Sequence, residues 1–281
     1  MMTESWLGTH RGETVVVKFG GNAMIDGELA AAFCDDIVAL TRAGIRVVVT
    51  HGGGPQISSE LVARGIHSEF RGGLRVTTAE AVRVVREVLL RIGSDLVGGL
   101  SAAGLPATAI GDDPGSVFAA SRAGTYVDGE VIDLGRVGEI ASVEPASVIA
   151  VLESEAIPVV SAIARDTASG ELLNVNADAA AASLAVALHA DWLLLLTDVA
   201  GLYRDWPNRD SLVGQINTDE LASLLATLES GMIPKMTAAR NAVLGGVGRV
   251  AIIDGRVPHA LITEPFGTTG TTVTPIEKVD S

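Results

Sequence analysis

Short runs of β-branched residues and leucine alternate along the chain with longer segments in which apolar residues recur every three to four positions. The runs predict strands, and the periodic segments predict helices. The strands are expected at residues 14–18, 46–50, 107–110, 157–161, 192–197 and 249–253, and the helices at 28–43, 56–64, 79–103, 145–155, 177–188, 218–228 and 234–245. Strands that alternate with helices indicate right-handed βαβ units, so the pattern predicts an α/β fold with a parallel sheet.

Residues 126–137 depart from this alternation. Their sequence, YVDGEVIDLGRV, contains two short runs of alternating polar and apolar residues around Asp128 and Gly129. An Asp-Gly pair between such runs is typical of a tight turn, so the segment predicts a β-hairpin inserted into the α/β frame. The chain has no internal repeat and no clear linker, and we therefore expect its parts to pack closely together.

The composition excludes several classes of protein. Hydrophobic residues make up 48% of the 281 positions and charged residues 19%, which allows a large core and excludes a disordered chain. The formal net charge is −14 and no basic cluster stands out, which argues against nucleic acid as a partner. A single cysteine, Cys34, excludes a disulfide framework, and the five histidines are scattered, so no metal site is predicted.

The same sequence predicts a cytoplasmic protein without a membrane partner. The first residues lack the apolar core of an export signal. The most apolar stretch, residues 179–196, is interrupted by His189 and Asp191. It is better explained as a helix followed by a buried strand than as a membrane span.

Glycine-rich segments follow the first two predicted strands. The first, KFGGN, begins at Lys18, and the second, HGGGP, begins at His51. Glycine amides at the carboxyl ends of parallel strands can approach an anion closely, and a lysine there can add a positive charge. Either segment alone is compatible with an ordinary turn, but the two together favour one shared site for an anionic ligand. We interpret His51 as a structural side chain, because nothing nearby resembles a carboxylate that could orient it as a base.

Two later segments offer polar side chains that can bind a small acid. RGGLRVT, residues 71–77, contains two arginines whose planar groups match a carboxylate, although either can equally be a surface charge. NVNAD, residues 174–178, places Asn174 and Asn176 on one side of an extended segment, where their amides can bind a polar ligand. Asp178 follows at the start of a predicted helix, where capping or compensation of the helix dipole is the simpler role.

The C-terminal third contains two candidate segments for a nucleotide. LTDVAGLY, residues 196–203, ends a leucine-rich strand in a turn. ESGMIPKM, residues 229–236, places Lys235 beside Pro234 in the first turn of a helix. A lysine at this end opposes the helix dipole, and we therefore expect an anion to be held there.

Together these segments resemble the amino acid kinase family, from residue 15 to about residue 264. KFGGNAM, VVTHGGGPQI, EFRGGLRVT, NVNADAAAASLA, LTDVAGLY and ESGMIPKM occur at family spacing. FRGGLRVT most favours the members that phosphorylate N-acetyl-L-glutamate. The resemblance implies a three-layer αβα sandwich with a mainly parallel open sheet and two lobes. Residues 1–188 would bind the acid and form a dimer, and residues 189–281 would bind the nucleotide.

The activity implied by the resemblance is ATP-dependent phosphorylation of the γ-carboxylate of N-acetyl-L-glutamate, the second step of arginine biosynthesis. Transfer would be in line, without a phosphoenzyme. Both ligands are anions and the acceptor carboxylate is already ionised at neutral pH, so catalysis is expected to rest on positioning and positive charge. Mg²⁺ would be carried by the phosphate oxygens of ATP.

The resemblance also assigns site residues by motif position. Lys18 and Lys235 would stabilise the transition state as catalytic residues, and Asp178 would hold both lysines in place. The acid would be bound by Gly53, Gly54, Arg75, Asn174 and Asn176. The nucleotide would be bound by Gly20, Gly21, Asp198, Val199, Ala200, Gly201, Leu202, Tyr203, Glu229, Gly231 and Met232.

Other activities stay open on the sequence alone. One is phosphorylation of a related acid, such as an N-acyl-aminoadipate, aspartate or a modified glutamate of a specialised pathway. Another is a non-catalytic binding protein on the same fold, although such a protein has no need to keep Lys18, Asp178 and Lys235 together. The resemblance further implies a homodimer in contact through the apolar face of residues 79–103. In the family that the chain resembles, arginine-inhibited members carry a long N-terminal helix before the first strand, so the short segment before residue 14 implies insensitivity to arginine.

Overall fold

The structure is a computed structural model that describes residues 6–71, 73–111, 116–127, 130–229 and 231–276. Within these residues the helices are α1 Gly27–Arg42, α2 Gly54–Ala63, α3 Ala79–Ala102, α4 Ala146–Glu153, α5 Ala177–Ala187, α6 Thr218–Leu224 and α7 Ile233–Leu244. The strands are β1 Thr14–Phe19, β2 Arg46–His51, β3 Phe70–Arg71, β4 Leu74–Arg75, β5 Ala107–Ile110, β6 Phe118–Val127, β7 Glu130–Val143, β8 Ile157–Ser161, β9 Ile163–Asp166, β10 Leu172–Val175, β11 Trp192–Thr197, β12 Gln215–Asn217, β13 Arg249–Asp254 and β14 Thr271–Thr274.

The main sheet has eight strands in the order β12-β14-β13-β11-β1-β2-β8-β5. All neighbours from β13 to β5 are parallel. β14 is antiparallel to β13, and β12 pairs in parallel with β14. Every residue of the central strands β1 and β11 is buried, which explains why these strands are continuous apolar runs rather than alternating ones.

Two hydrophobic cores lie on opposite faces of the sheet. Val15, Val17 and Phe19 of β1 pack into the first core with α1 and α3, whereas Val16 packs into the second core with α5 and α7. Successive side chains of a strand point to opposite faces, so each face is covered by its own layer of helices. The three-layer αβα sandwich with a mainly parallel sheet is therefore confirmed.

The predicted hairpin is confirmed and belongs to a larger unit. β6 and β7 are antiparallel and extend well beyond residues 126–137 on both sides. β9 and β10, which the sequence pattern did not predict, close them into a four-stranded barrel. Asp128 and Gly129, at the predicted turn, lie outside the described residues. β10 leads almost directly into α5, which fixes the barrel beside residues 174–178.

The helices confirm the predicted periodicity, with one correction. α6 ends at Leu224, and the rest of the predicted 218–228 helix is a 3₁₀ turn, Leu225–Thr227. The apolar face of α3 packs into the first core through residues such as Val85, Leu89 and Leu96. A dimer contact through this helix stays a prediction. Among the described helices, none combines the length and apolarity needed to cross a membrane.

Candidate active site

A buried carboxylate joins two lysines at the carboxyl end of the sheet. Asp178, in the first turn of α5, lies with Oδ1 3.0 Å from Nζ of Lys18 and with Oδ2 2.9 Å from Nζ of Lys235. Lys18 lies near the end of β1, and Lys235 lies near the start of α7. The three residues are at most 9% exposed. We call this cluster the lysine bridge.

The lysine bridge is suited to binding an anion. Burial would raise the pKa of Asp178, but the charges of Lys18 and Lys235 outweigh it and hold that pKa well below its ordinary value. Burial lowers the pKa of Lys235, and the attraction of Asp178 opposes this effect. With both ammonium groups protonated, the bridge carries two positive charges and one negative charge. The bridge is buried, Asp198 also attracts Lys235, and a bound anion would add to the compensation of the two lysine charges.

The lysine bridge forms part of the wall of a cavity of about 340 Å³, which we call the acid cavity. Both glycine-rich segments and the segment 174–178 meet there, although they are distant in sequence. The predicted site residues in its wall are Lys18, Gly20, Gly21, Gly53, Gly54, Arg75, Asn174, Asn176, Asp178 and Asp198. Gly20, Gly21 and Asp198, which the resemblance assigns to the nucleotide, line this cavity as well.

Arg75 extends a buried guanidinium to the acid cavity. Its Nη1 donates to Oγ of Ser68 at 2.6 Å, and its Nη2 donates to Oγ of Ser58 at 2.7 Å and to the carbonyl of Gly54 at 3.2 Å. The ring of Phe70 lies 4.5 Å from its Cζ. Burial lowers the pKa of Arg75. Among the described residues no carboxylate forms an ion pair with it, so a carboxylate of a ligand can supply the missing charge.

Thr77 connects Arg75 to Asn174. Its hydroxyl donates to the carbonyl of Arg75 at 2.9 Å and accepts from Nδ2 of Asn174 at 3.3 Å. The single hydroxyl proton is used on the carbonyl, so Asn174 must present Nδ2 to Thr77 and keeps Oδ1 for a ligand. Sequence reasoning missed Thr77, although its position two residues after Arg75 places both on one side of an extended segment. Arg71, the other arginine of the motif, is exposed and pairs with Glu69.

Asn176 is the N-cap of α5. Its Oδ1 accepts from the backbone N–H of Asp178 at 2.9 Å and from that of Ala179 at 3.0 Å. The capping role considered for Asp178 therefore belongs to Asn176, because an N-cap side chain must precede the helix to reach its first amides. Only Nδ2 of Asn176 is left to donate to a ligand.

A second cavity, of about 260 Å³, adjoins Lys235, and we call it the nucleotide cavity. Its wall contains the turn after β11 and the segment before α7: Thr197, Val199, Gly201, Leu202, Tyr203, Trp206, Leu228, Glu229, Gly231, Met232 and Lys235. Ala200 lines neither this cavity nor the acid cavity. Sequence reasoning missed Trp206, whose ring lies 5.2 Å from that of Tyr203. Because Lys235 lines one cavity and its partner Asp178 lines the other, the lysine bridge connects them.

The amino acid kinase family matches residues 13–254, which is most of the chain and includes every residue of the lysine bridge. The chain belongs to the amino acid kinase family. Family members with similar sequences include the acetylglutamate kinase of Kineococcus radiotolerans, which is 51% identical over 272 residues and aligns over 94% of this chain and 91% of its own. The acetylglutamate kinase of Clavibacter sepedonicus is 56% identical over 268 residues, covering 95% of this chain and 88% of its own.

Solved structures give the same architecture. N-acetylglutamate synthase from Neisseria gonorrhoeae, complexed with coenzyme A and N-acetyl-glutamate, superposes with a TM-score of 0.83 and 26% identity. The match covers 98% of this chain but only 62% of that one. Carbamate kinase from Giardia lamblia bound to AMP-PNP gives a TM-score of 0.66 at 19% identity, which supports the fold alone.

Proposed function

We propose that this family member transfers the terminal phosphoryl group of ATP to the γ-carboxylate of N-acetyl-L-glutamate, as a kinase of arginine biosynthesis. The acetylglutamate kinases that share 51% and 56% identity with the chain support this substrate pair. The observation that carries the proposal is the buried Arg75, which has no carboxylate partner among the described residues and lies in the wall of the same cavity as the lysine bridge. Arg75 binds a carboxylate, and the lysine bridge stabilises a phosphoryl group beside it.

In the acid cavity, each polar group of N-acetyl-L-glutamate has a complementary partner. Arg75 binds the α-carboxylate through its planar fork. Oδ1 of Asn174 accepts the amide N–H of the substrate, and Nδ2 of Asn176 donates to a substrate oxygen. The γ-carboxylate then lies toward the lysine bridge and the backbone amides of Gly53 and Gly54.

In the nucleotide cavity, the adenine and ribose lie between the turn after β11 and the residues Glu229, Gly231 and Met232. Tyr203 and Trp206 offer aromatic surface to the base. The triphosphate points toward Lys235, Gly20 and Gly21, because the lysine bridge lies between the two cavities.

The chemistry needs no protein nucleophile and no strong base. The ionised γ-carboxylate attacks the terminal phosphorus, ADP leaves in line, and an acyl phosphate forms. Lys18 and Lys235 stabilise the charge that develops on the transferred group, and Asp178 keeps both ammonium groups in position.

Mg²⁺ enters this proposal as part of the nucleotide. Within the described residues, no three side chains of His, Cys, Asp or Glu come together as a metal site. Asp178 is committed to two lysines, and Mg²⁺ favours phosphate oxygens and water, so the site fits a metal carried by ATP. When bound, the ion neutralises phosphate charge.

The same proposal assigns acid binding and dimerisation to residues 1–188 and nucleotide binding to residues 189–281. The boundary falls between α5 and β11. We further propose a cytoplasmic homodimer, on the family resemblance alone. Light scattering of the purified protein tests the homodimer, and a monomeric mass at assay concentration would contradict it.

The activity is tested by ADP formation from ATP with N-acetyl-L-glutamate, aspartate, glutamate or N-acetyl-aminoadipate as acceptor. Hydroxylamine added to the assay converts an acyl phosphate into a coloured hydroxamate, which identifies the product. We expect ADP and hydroxamate in equal amounts, with kcat/KM highest for N-acetyl-L-glutamate. A higher kcat/KM for another acid, or ADP without hydroxamate, would overturn the proposal.

A further inference from the structure

His51 ends β2 and is completely buried beside the second glycine-rich segment. Its Nδ1 lies 3.0 Å from the carbonyl oxygen of Gly52, and its Nε2 lies 3.2 Å from Oγ of Ser161. A carbonyl oxygen only accepts, so Nδ1 carries the proton and Nε2 accepts from the Ser161 hydroxyl. Burial lowers the pKa of His51 to about 4, so the ring is neutral near pH 7.

The Nδ1 hydrogen bond fixes the peptide plane between Gly52 and Gly53. In a planar trans peptide the N–H points opposite to the C=O, so holding the Gly52 carbonyl also sets the direction of the Gly53 N–H. The preceding peptide is held as well, because the Gly52 N–H donates to the carbonyl of Phe19 at 3.4 Å. The orientation of the Gly52–Gly53 loop therefore depends on the side chain of His51 and on the Phe19 carbonyl at the end of β1.

The Gly53 N–H is a donor without an acceptor in the described part of the chain. Gly53 is buried and lines the acid cavity. A buried backbone N–H is nearly always hydrogen-bonded, so a ligand is the natural acceptor here.

We propose that His51 is a positioning residue whose Nδ1–H holds the Gly52 carbonyl, so that the Gly53 N–H donates to the oxygen that gains charge during phosphoryl transfer. This inference rests on the proposed function of the acid cavity. It extends that function by assigning a role to a side chain that itself contacts neither substrate.

The packing around the ring supports a defined orientation rather than simple filling of space. α3 has a glycine, Gly93, where it passes the imidazole. A Cβ at that position would lie 3.2 Å from Nε2 of His51 and 3.5 Å from Oγ of Ser161. The ring is therefore enclosed by β8, α3 and its own loop, and its hydrogen bonds cannot be replaced by water.

Two substitutions of His51 separate positioning from packing. His51→Asn places an amide nitrogen the same number of bonds from Cβ as Nδ1, so it can still donate to Gly52. His51→Gln places its amide one bond further out and loses that donor. Removing one oxyanion donor typically lowers the rate by about 10²–10³. In H51Q the Gly53 N–H is misdirected but still present, so we expect kcat to fall by less, roughly 10- to 100-fold. H51N should stay within about 5-fold of wild type, and the KM for ATP should stay within about 2-fold in both.

Ser161→Ala and Gly93→Ala complete the test. Ser161→Ala removes the Nε2 partner but leaves the Nδ1 bond, so kcat should stay within about 3-fold. Gly93→Ala favours the helix, but its Cβ presses on the ring. We expect kcat to fall by more than about 3-fold while the melting temperature stays close to that of the wild type. This variant decides the matter if both His51 variants fail to fold.

The inference is overturned if H51Q keeps the wild-type kcat, if H51N and H51Q lose activity equally, or if Gly93→Ala is fully active. Failure of the proposed function looks different, because the wild-type protein itself would then form no ADP with N-acetyl-L-glutamate. Loss of kcat in H51Q but not in H51N, with similar melting temperatures, supports the positioning role.

Discussion

Replacing Asp178 with asparagine would leave Lys18 and Lys235 facing a neutral amide. In the wild-type protein their Nζ atoms lie 3.0 and 2.9 Å from the two carboxylate oxygens, and all three residues are at most 9% exposed. Water therefore cannot replace the lost charge. Removing one partner of a buried ion pair costs about 3–5 kcal/mol, because an uncompensated charge stays buried.

We expect a loss of this size in the free energy of unfolding of Asp178→Asn. For a chain of this length about 1 kcal/mol corresponds to roughly 2 °C, so the melting temperature should fall by roughly 6–10 °C. The kcat should fall as well, because the two lysines then repel each other and leave their positions. Differential scanning calorimetry and the hydroxamate assay measure the two effects.

The stability deficit of Asp178→Asn, which is the difference in free energy of unfolding from the wild type, should depend on pH. The folded pKa of Asp178 is lowered, so its stabilising contribution is present above the ordinary carboxyl pKa of about 4 and is lost as the pH falls through the lower folded value. Asparagine has no such contribution, so the deficit should shrink in acid. The stability deficit should also shrink in alkali. Without Asp178 the already lowered pKa of Lys235 falls further, so the buried lysine can lose its proton and with it the uncompensated charge.

Asp36→Asn is the matched control. Asp36 is 2% exposed, and it accepts from Nδ1 of His259 at 2.8 Å and from the N–H of Leu261 at 3.1 Å, outside both cavities. Its pKa is raised by burial, so neutralising it should cost less stability and should leave kcat unchanged. A melting temperature of Asp178→Asn within about 2 °C of wild type, together with normal kcat, would refute the role given to the lysine bridge.

Three further predictions concern the same site. Lys18→Ala and Lys235→Ala should each lower kcat by about 10²–10³ with smaller effects on KM, and a variant with near-normal kcat would remove that lysine from catalysis. Arg75→Lys keeps the charge but loses the planar fork, so the KM for the acid should rise by about 10-fold or more while the KM for ATP stays constant. A higher KM for ATP with an unchanged KM for the acid would contradict this placement of Arg75. Thr77→Val removes the hydroxyl that orients Asn174 and should raise the KM for the acid by about 5- to 10-fold, whereas Thr77→Ser keeps the hydroxyl and should restore the wild-type KM. Equal kinetics in both variants would count against the hydrogen bonds that Thr77 makes with Arg75 and Asn174.

Six of the eight strands of the main sheet could be predicted, and the central ones are buried on both faces. β12 and β14, at one edge of the sheet, were not predicted. Continuous apolar runs such as those of β1 and β11 are hard to mistake, and several predicted bounds agree with the structure to the residue. The barrel could not be predicted in the same way. β9 and β10 are short and mix polar with apolar residues, and their pairing with β6 and β7 depends on contacts between distant segments.

The same distinction applies to the candidate site, where residues of local motifs could be predicted and roles that depend on distant residues could not. Residues within motifs, such as Lys18, Arg75 and Lys235, were found from local pattern and family resemblance. Thr77 was missed, because its role depends on Asn174, a residue almost a hundred positions away in the sequence. The role of Asn176 as N-cap was missed for a local reason. The helix start at residue 177 was predicted correctly, but capping was assigned to Asp178 and Asn176 was assigned to a ligand, although both are good capping residues and an N-cap precedes its helix.

The passage from β10 into α5 limits how this protein can evolve. Within five consecutive residues the backbone passes from Asn174, in the wall of the acid cavity, through the N-cap Asn176 to Asp178, the carboxylate of the lysine bridge. Each residue of a helix advances the side-chain direction by about 100°, so one residue inserted or deleted after Asn176 would turn Asp178 away from both lysines. A substitution in this segment leaves the spacing intact, whereas an insertion or a deletion destroys it. A shift in acid specificity would therefore arise at bordering positions of the cavity, such as Leu74 and Val137, while the spacing of the segment stays fixed.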